Sequence, residues 1–496
     1  MRRVPLFVGS SINAVDLPDD AVLLAAPPPL DPIANIAEAV ADALRYPLSG
    51  PTLEKVARRG GRATLVVEHA ALPFPGAPAD PRQEALAAVS AELARAGIPT
   101  ERQTLLVAGG LERRAGRREL ESLLRPPQAR AFHGTVAVHD CEAEDLVELE
   151  TAPASFRVHP ALVETDLVIT VTAAETAVSG GPAALLAACG AETPRAATAE
   201  SLLEPARAAG WRAAGALERA LEARTPLLGV SLVLDHPRPT GRWRGWPSDP
   251  ETVHDLARSR LRRLRNTLPG AIREYRLQHA GRYVHAVAAF AGRPSVAHAE
   301  ALLRSVAVRA VPLPQPVQTI VIPVPWRSVH QPTTPVDPVA ATYAALGHAL
   351  RLWRNAHPLA RGGTVVLLHP FRPAYGRPAS APYRALFEAL REGGGEAVAA
   401  AETAAAADHA GLAAYRAGQA PHPLLPFADW AGCAPSRAQA ERIVVGGCRD
   451  AAAARALGFV PSHSPQAALE MAQGVAGSDG TVAVLLAPPY VPVAVG

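Results

Sequence analysis

Short runs of almost unbroken apolar residues alternate along this chain with longer Ala/Leu/Arg-rich stretches of helical periodicity. In the first part the apolar runs fall at 21–25, 63–68, 104–108, 135–139, 167–171 and 228–234, and helices are expected at 33–45, 81–96, 117–125 and 158–164. Strand-length runs with no polar face are those of parallel strands buried on both sides, and the helices between them supply the crossovers. Ser179, Gly180, Gly181 and Pro182 form a turn that opens a helix at Ala183, with Pro182 suited to the first helical position. The theme returns later, with strands expected at 319–324, 364–368, 442–446 and 481–486 and helices at 338–354, 382–391 and 465–474.

This alternation predicts an α/β protein of two domains, each with a mostly parallel sheet flanked by helices. At 496 residues the chain exceeds what one ordinary core accommodates. The first domain is expected over 1–307, including a Trp/Arg-rich insertion at about 235–265. A proline-rich linker follows at 308–317, and the second domain spans 318–496. Two such domains on a linker make closure about a hinge the expected motion.

Composition narrows the partners. With 49 Lys+Arg against 46 Asp+Glu the charge is nearly balanced, so nothing points to nucleic acid. The basic run Arg258–Arg265, with Leu261 and Leu264 at helical spacing, reads as the solvated face of an amphipathic helix. The apolar N-terminal stretch is broken by Gly9, Ser10 and Ser11, and no window approaches the roughly 18 apolar residues that cross a bilayer. A cytoplasmic protein without a membrane partner is expected. Cys141, Cys189, Cys433 and Cys448 form no C-x-x-C pair, so buried free thiols are expected and no metal site.

Several segments, in order, resemble the nickel-dependent lactate racemase family. Residues 43–53 are similar to a lead-in of that family, 65–75 to its strand and Asp-x-Thr-Arg-Pro loop, and 106–113 to its Ala-x-Gly-x-His-Arg loop. Val138–Glu142 resembles an Asn-His-Asp segment, and His159–Ile169 the strand before a Gly-Gly-x-Lys turn, here Ser179–Ala183. In the second half, Arg361–Leu368 and Gly458–Leu469 resemble its Gly-Gly strand and its ending. The resemblance implies a two-domain α/β fold. It also implies interconversion of 2-hydroxy acid enantiomers by a nickel-pincer nucleotide held on a lysine, with two proton-transfer histidines, a nickel histidine and a carboxylate-binding arginine.

Carried over position by position, the resemblance puts Glu112 and Ala173 where the two proton-transfer histidines belong. Ala183 takes the lysine position, and the nickel histidine falls near Ala199. The trio of the first loop becomes His69, Ala71 and Leu72. An alanine forms no lysine linkage, moves no proton and ligates no metal. No cofactor is therefore expected, and two readings stand open. One is a homologue with a degenerate site that binds a small anionic metabolite in the interdomain cleft. The other is an active 2-hydroxy acid isomerase that uses changed residues.

Candidate residues follow from both. His69 and Glu112, at the ends of neighbouring strands, are the candidate acid/base pair. Arg113, Ser179, Gly180, Gly181 and Arg372 are candidate ligand contacts, the glycines through amides at a helix start and Arg372 as an anion hook after a strand. His330, His348, His357 and His369 cluster in the second domain, three of them near strand or helix ends expected to face the interdomain cleft; their spacing fits no metal-ligand pattern, so exposed or capping roles are expected ahead of a metal site. Trp243 and Trp246 with Arg242 and Arg244 suit stacking on a ligand or packing on their own domain.

Overall fold

The computed structural model describes the whole chain apart from residues 69–79, 152–153, 242–243, 247–248, 279, 326–329, 331–335, 477–479 and 487–489. Two six-stranded sheets carry it. In the first the order is Ala286–Gly292, Leu227–Leu234, Leu167–Ala173, Ala63–Glu68, Gln103–Ala108 and Thr135–Val138, parallel except for the antiparallel edge strand Ala286–Gly292. In the second it is Val460–Ser462, Ala440–Gly446, Leu359–Leu368, Val317–Pro323, Val482–Leu485 and Val22–Leu24, all parallel. The expected α/β architecture of mostly parallel sheets is present.

Burial explains the unbroken apolar runs. Along Ala63–Glu68, Leu65 and Val67 enter one core layer while Val66 enters the layer on the opposite face. With helices on both faces no position faces water, so the period-2 alternation of a half-exposed strand never develops.

Chain order does not follow domain order at the N-terminus. Val22–Leu24 lies in the second sheet, parallel to Val482–Leu485, where it pairs what would otherwise be an open edge. The hairpin Arg2–Val8 with Ser11–Leu17 packs Val4, Leu6, Ile12 and Val15 into one cluster with Val366, Val444 and Val484. The first segment of the expected 1–307 domain therefore packs with the second. The expected linker is structured too. Helix Pro294–Arg309 runs up to it, and Val311–Leu313 pairs parallel with Val493–Val495.

Other elements depart from the periodicity. The helix expected at 158–164 is one 3-10 turn, Pro160–Leu162. That expected at 338–354 is an α-helix only over Pro338–Thr342, followed by a π-helical turn, Tyr343–His348, and a 3-10 turn, Ala349–Arg351. The basic run divides between Pro250–Arg258 and Arg260–Thr267, and Arg258, Arg260 and Arg263 are exposed as expected, but the face is not uniformly solvated. Arg262 turns inward to donate to the Ile12 carbonyl at 3.1 Å, beside Asn266, which exchanges two hydrogen bonds with Ile12, while Leu261 and Leu264 are exposed. Backbone groups of the hairpin needed partners, and these polar side chains supply them.

The two domains share core. Ala199, Leu202 and Leu203 of the first belong to the same cluster as Val339, Leu346 and Leu350 of the second. Leu6→Ala, which empties a fully buried site between the hairpin and the second sheet, is expected to lower stability by about 2–5 kcal/mol. Urea unfolding followed by tryptophan fluorescence checks this, because Phe7 lies edge-on to Trp246.

Candidate functional site in the interdomain cleft

A cleft of about 360 Å³ opens between the domains at the carboxyl ends of the first sheet. It lies where strand order reverses between Ala63–Glu68 and Leu167–Ala173, the switch point at which open parallel sheets bind ligands. Glu68 ends one of these strands, and Glu175 follows the other. Glu112 comes from the loop after Gln103–Ala108, and His330, His348, Arg351 and Asp429 reach in from the second domain.

His330 sits between two carboxylates, one from each domain. Its Nδ1 donates to Glu112 Oε1 and its Nε2 to Asp429 Oδ1, each at 2.9 Å, and only the imidazolium has both protons to give. Burial opposes that charge, but Asp429 and then Glu112 outweigh it and hold the group charged up to about 10. Tyr383 donates to the other Asp429 oxygen at 2.7 Å, and the His330 ring stacks on Tyr343 with centroids 5.0 Å apart.

Two arginines and a neutral histidine also line the cleft. Arg309, at the end of helix Pro294–Arg309, is only 6% exposed, yet its guanidinium makes no hydrogen bond or ion pair among the described residues. Arg351 donates only to carbonyls, those of Gly347 and Gly432 at 3.1 Å and that of Ala199. His348, at the end of the π-helical turn, has its pKa pushed down to about 4 by burial and then by His330, Arg351 and Arg309. Its imidazole is neutral at pH 7 and finds no hydrogen-bond partner among the described residues.

The first domain supplies the acids. Glu68 accepts from the Gly180 amide at 2.8 Å, yet burial, together with Glu112 and Glu175, raises its pKa to about 7. Arg82 stands beside it, neutralised by a bidentate pair with Asp80.

The residues expected from the sequence divide between cleft and scaffold. Glu112 lines the cleft and bonds His330, and His69 of the expected pair lies outside the described residues. Ser179 lines the cleft and bonds Thr176 at 2.7 Å. The amides of Gly180 and Gly181 are not open to an outside anion, because they donate to Glu68 and Thr172, both at 2.8 Å. Their need for glycine is steric: at φ +81° and +52°, a Cβ would meet the buried His298 at 2.5 and 2.3 Å. Arg113 donates to the Arg114 and Gly418 carbonyls and pairs with Glu119. Arg372 is exposed, away from the cleft lining, because buried Phe371, at φ +45°, turns the chain away. His357 and His369 cap backbone amides as expected, whereas His330 and His348 line the cleft. Of the tryptophan loop, Trp246 is buried in its own core, and Arg242 and Trp243 lie outside the described residues.

Among the described residues one group has metal-ligand character, Cys141, Glu142 and His422, whose donor atoms lie within 4.8 Å of one another. Its chemistry argues otherwise. His422 Nδ1 accepts the Leu424 amide, which leaves the proton on Nε2 pointing at Glu142 and no lone pair for an ion.

Residues 8–198 match the family model of the lactate racemase N-terminal domain. The lactate racemase apoprotein from Thermoanaerobacterium thermosaccharolyticum is similar over 100% of both chains, with a TM-score of 0.59 and 15% identity. Residues 8–198 thus resemble a lactate racemase N-terminal domain, and the chain as a whole has the lactate racemase fold. A protein from Thermotoga maritima is similar over 93% of this chain and 97% of its own, at 11% identity and a TM-score of 0.48. No curated protein matches the chain. No helix among the described residues is long and apolar enough to cross a membrane.

The raised pKa of His330 carries a sign. Its contribution to stability is complete below the 6.5 of a free imidazole and is lost as pH rises through about 10. His330→Ala is expected to cost about 3–5 kcal/mol near pH 6. Urea unfolding of both proteins across that range should show the difference shrinking as pH rises towards 10.

Proposed function

We propose that this lactate racemase homologue has lost the cofactor-dependent chemistry of its family and binds a small anionic metabolite in the interdomain cleft. Arg309 carries the proposal. A buried guanidinium without a counter-ion costs several kcal/mol, and a carboxylate arriving in its plane removes that cost through two parallel hydrogen bonds. At about 360 Å³ the cleft stands at the small end of ligand pockets, which supports a metabolite over a polymer. The nearly balanced charge supports no nucleic-acid or membrane partner.

The side chains do not fit the nickel-pincer nucleotide of the family. Ala173, Ala183 and Ala199, which the family resemblance aligns with its histidines and lysine, are buried methyl groups without donor atoms. The only lysine in the chain is Lys55, exposed on the short helix Leu53–Val56 and absent from the cleft lining.

A second reading, an isomerase of 2-hydroxy acids working through changed residues, draws on His348 and Glu68. A neutral imidazole and a carboxyl of pKa about 7 face one cavity, as a proton acceptor and donor require. Proton NMR of lactate enantiomers incubated with the protein in D₂O separates the two readings. Exchange at the α-carbon favours the isomerase.

Arg309→Met is expected to leave the melting temperature of the ligand-free protein unchanged or higher, because it removes an unpaired buried charge. It is expected to abolish stabilisation by small carboxylates in thermal-shift assays. Carboxylate-induced shifts equal to those of the wild type would refute the proposal. Intact-mass and metal analysis of protein from a host that makes the pincer cofactor should give an unmodified, nickel-free chain.

A further inference from the structure

The cleft holds two opposite charges that do not satisfy each other. Glu175 lines it, half-buried, and like Arg309 its side chain makes no hydrogen bond or ion pair among the described residues. The two are close enough to interact through space, since Glu175 and then Asp235 are the acids that oppose the effect of burial on Arg309. Yet they form no ion pair with each other. In a folded protein a guanidinium and a carboxylate facing one small cavity ordinarily close on one another or are each paired elsewhere. The other charges of the lining have partners: Arg82 takes Asp80, Arg195 takes Glu402, His330 takes Glu112 and Asp429, Arg351 takes backbone carbonyls and Glu68 the Gly180 amide.

Glu68 and Glu175 belong to the strand ends of the first domain, and Glu68 responds to both Glu112 and Glu175. His348 responds to His330, Arg351 and Arg309. A ligand in this cavity therefore meets carboxylates and guanidinium groups together.

We infer that the ligand is zwitterionic, an α-amino acid or similar amino carboxylate, with its carboxylate on Arg309 and its ammonium on Glu175. The inference rests on the cleft being the anion site proposed above and goes further, because it separates an amino acid from a 2-hydroxy acid of the same shape. A hydroxyl donates one hydrogen bond to Glu175 but leaves its charge uncompensated. An ammonium group cancels the Glu175 charge and leaves the Arg309 pairing intact. Neutral His348 adds an acceptor lone pair at the cavity wall without opposing the carboxylate.

Isothermal titration of the full chain tests this with matched pairs: alanine and lactate, leucine and 2-hydroxyisocaproate, phenylalanine and phenyllactate, in both enantiomers. At least one amino acid is expected to bind about tenfold or more tightly than its hydroxy acid. Glu175→Gln should remove that preference while retaining hydroxy acid binding, Glu175→Asp should keep it, and Arg309→Met should abolish binding of both classes. Circular dichroism melts confirm that each variant is folded. Hydroxy acids binding as tightly as amino acids, or a preference that survives Glu175→Gln, would overturn the inference and leave the anion site standing. Failure of every probe to bind would count against both.

Discussion

A buried imidazolium shared between carboxylates of two domains is the constraint around which the cleft is arranged. Removing His330, Glu112 and Asp429 from water is costly, and the cost is met only while all three stay in contact. Glu112 thereby fixes the loop after strand Gln103–Ala108 against the second domain. Asp429 fixes helix Leu425–Gly432 and, through Tyr383, helix Ala381–Glu392. Stacking of His330 on Tyr343 sets the start of the π-helical turn that ends at His348. A π turn inserts an extra residue in the helical repeat, and such insertions recur where a helix presents side chains to a ligand.

The fold shared with the lactate racemase apoprotein is kept at the glycine turn, and side chains of the chain itself crowd around it. The Gly180–Gly181 turn keeps the backbone that a close approach demands, but His298 fills the space above it and Glu68 takes the Gly180 amide. An acid from the protein thus occupies the position at which an outside anion was expected. The carbonyl of Ala199, near which the resemblance would put a nickel histidine, receives Arg351. Groups from the chain itself have filled these places, and the charges left open lie nearby, on Arg309 and Glu175.

Strands buried on both faces were legible because nothing interrupts their apolar runs, and almost every sheet strand falls where the pattern places it. The N-terminal crossing of Val22–Leu24 into the second sheet was not legible, because an edge strand carries no mark of which edge it joins. The site was half-legible. Glu112 stands out at a strand end, Ser179 in the glycine turn, and His348 within a histidine cluster expected near the cleft, whereas Arg309 falls in the expected linker 308–317 and Arg351 in the expected helix 338–354, with no role for either. A signal did exist. Arg309 follows Ser305–Val308 and precedes Ala310–Val311, and Arg351 stands between Leu350 and Leu352, each a lone charge within an otherwise apolar stretch. Such a charge is buried with its neighbours and needs a reason to be there.

Arg351 has a consequence for how anything enters or leaves the cleft. It binds carbonyls on both sides of the domain seam, its own carbonyl accepts the Leu202 amide, and Ser201 donates to the Trp353 carbonyl at 2.6 Å. Swinging the domains apart about a free hinge would strip a buried guanidinium of its acceptors with no water at hand to replace them. The inner end of the cleft is therefore a fixed floor, and exchange with solvent falls to the outer rim. Residence time in such a vestibule is governed by how fast the rim parts, and not by a collective opening of the two domains.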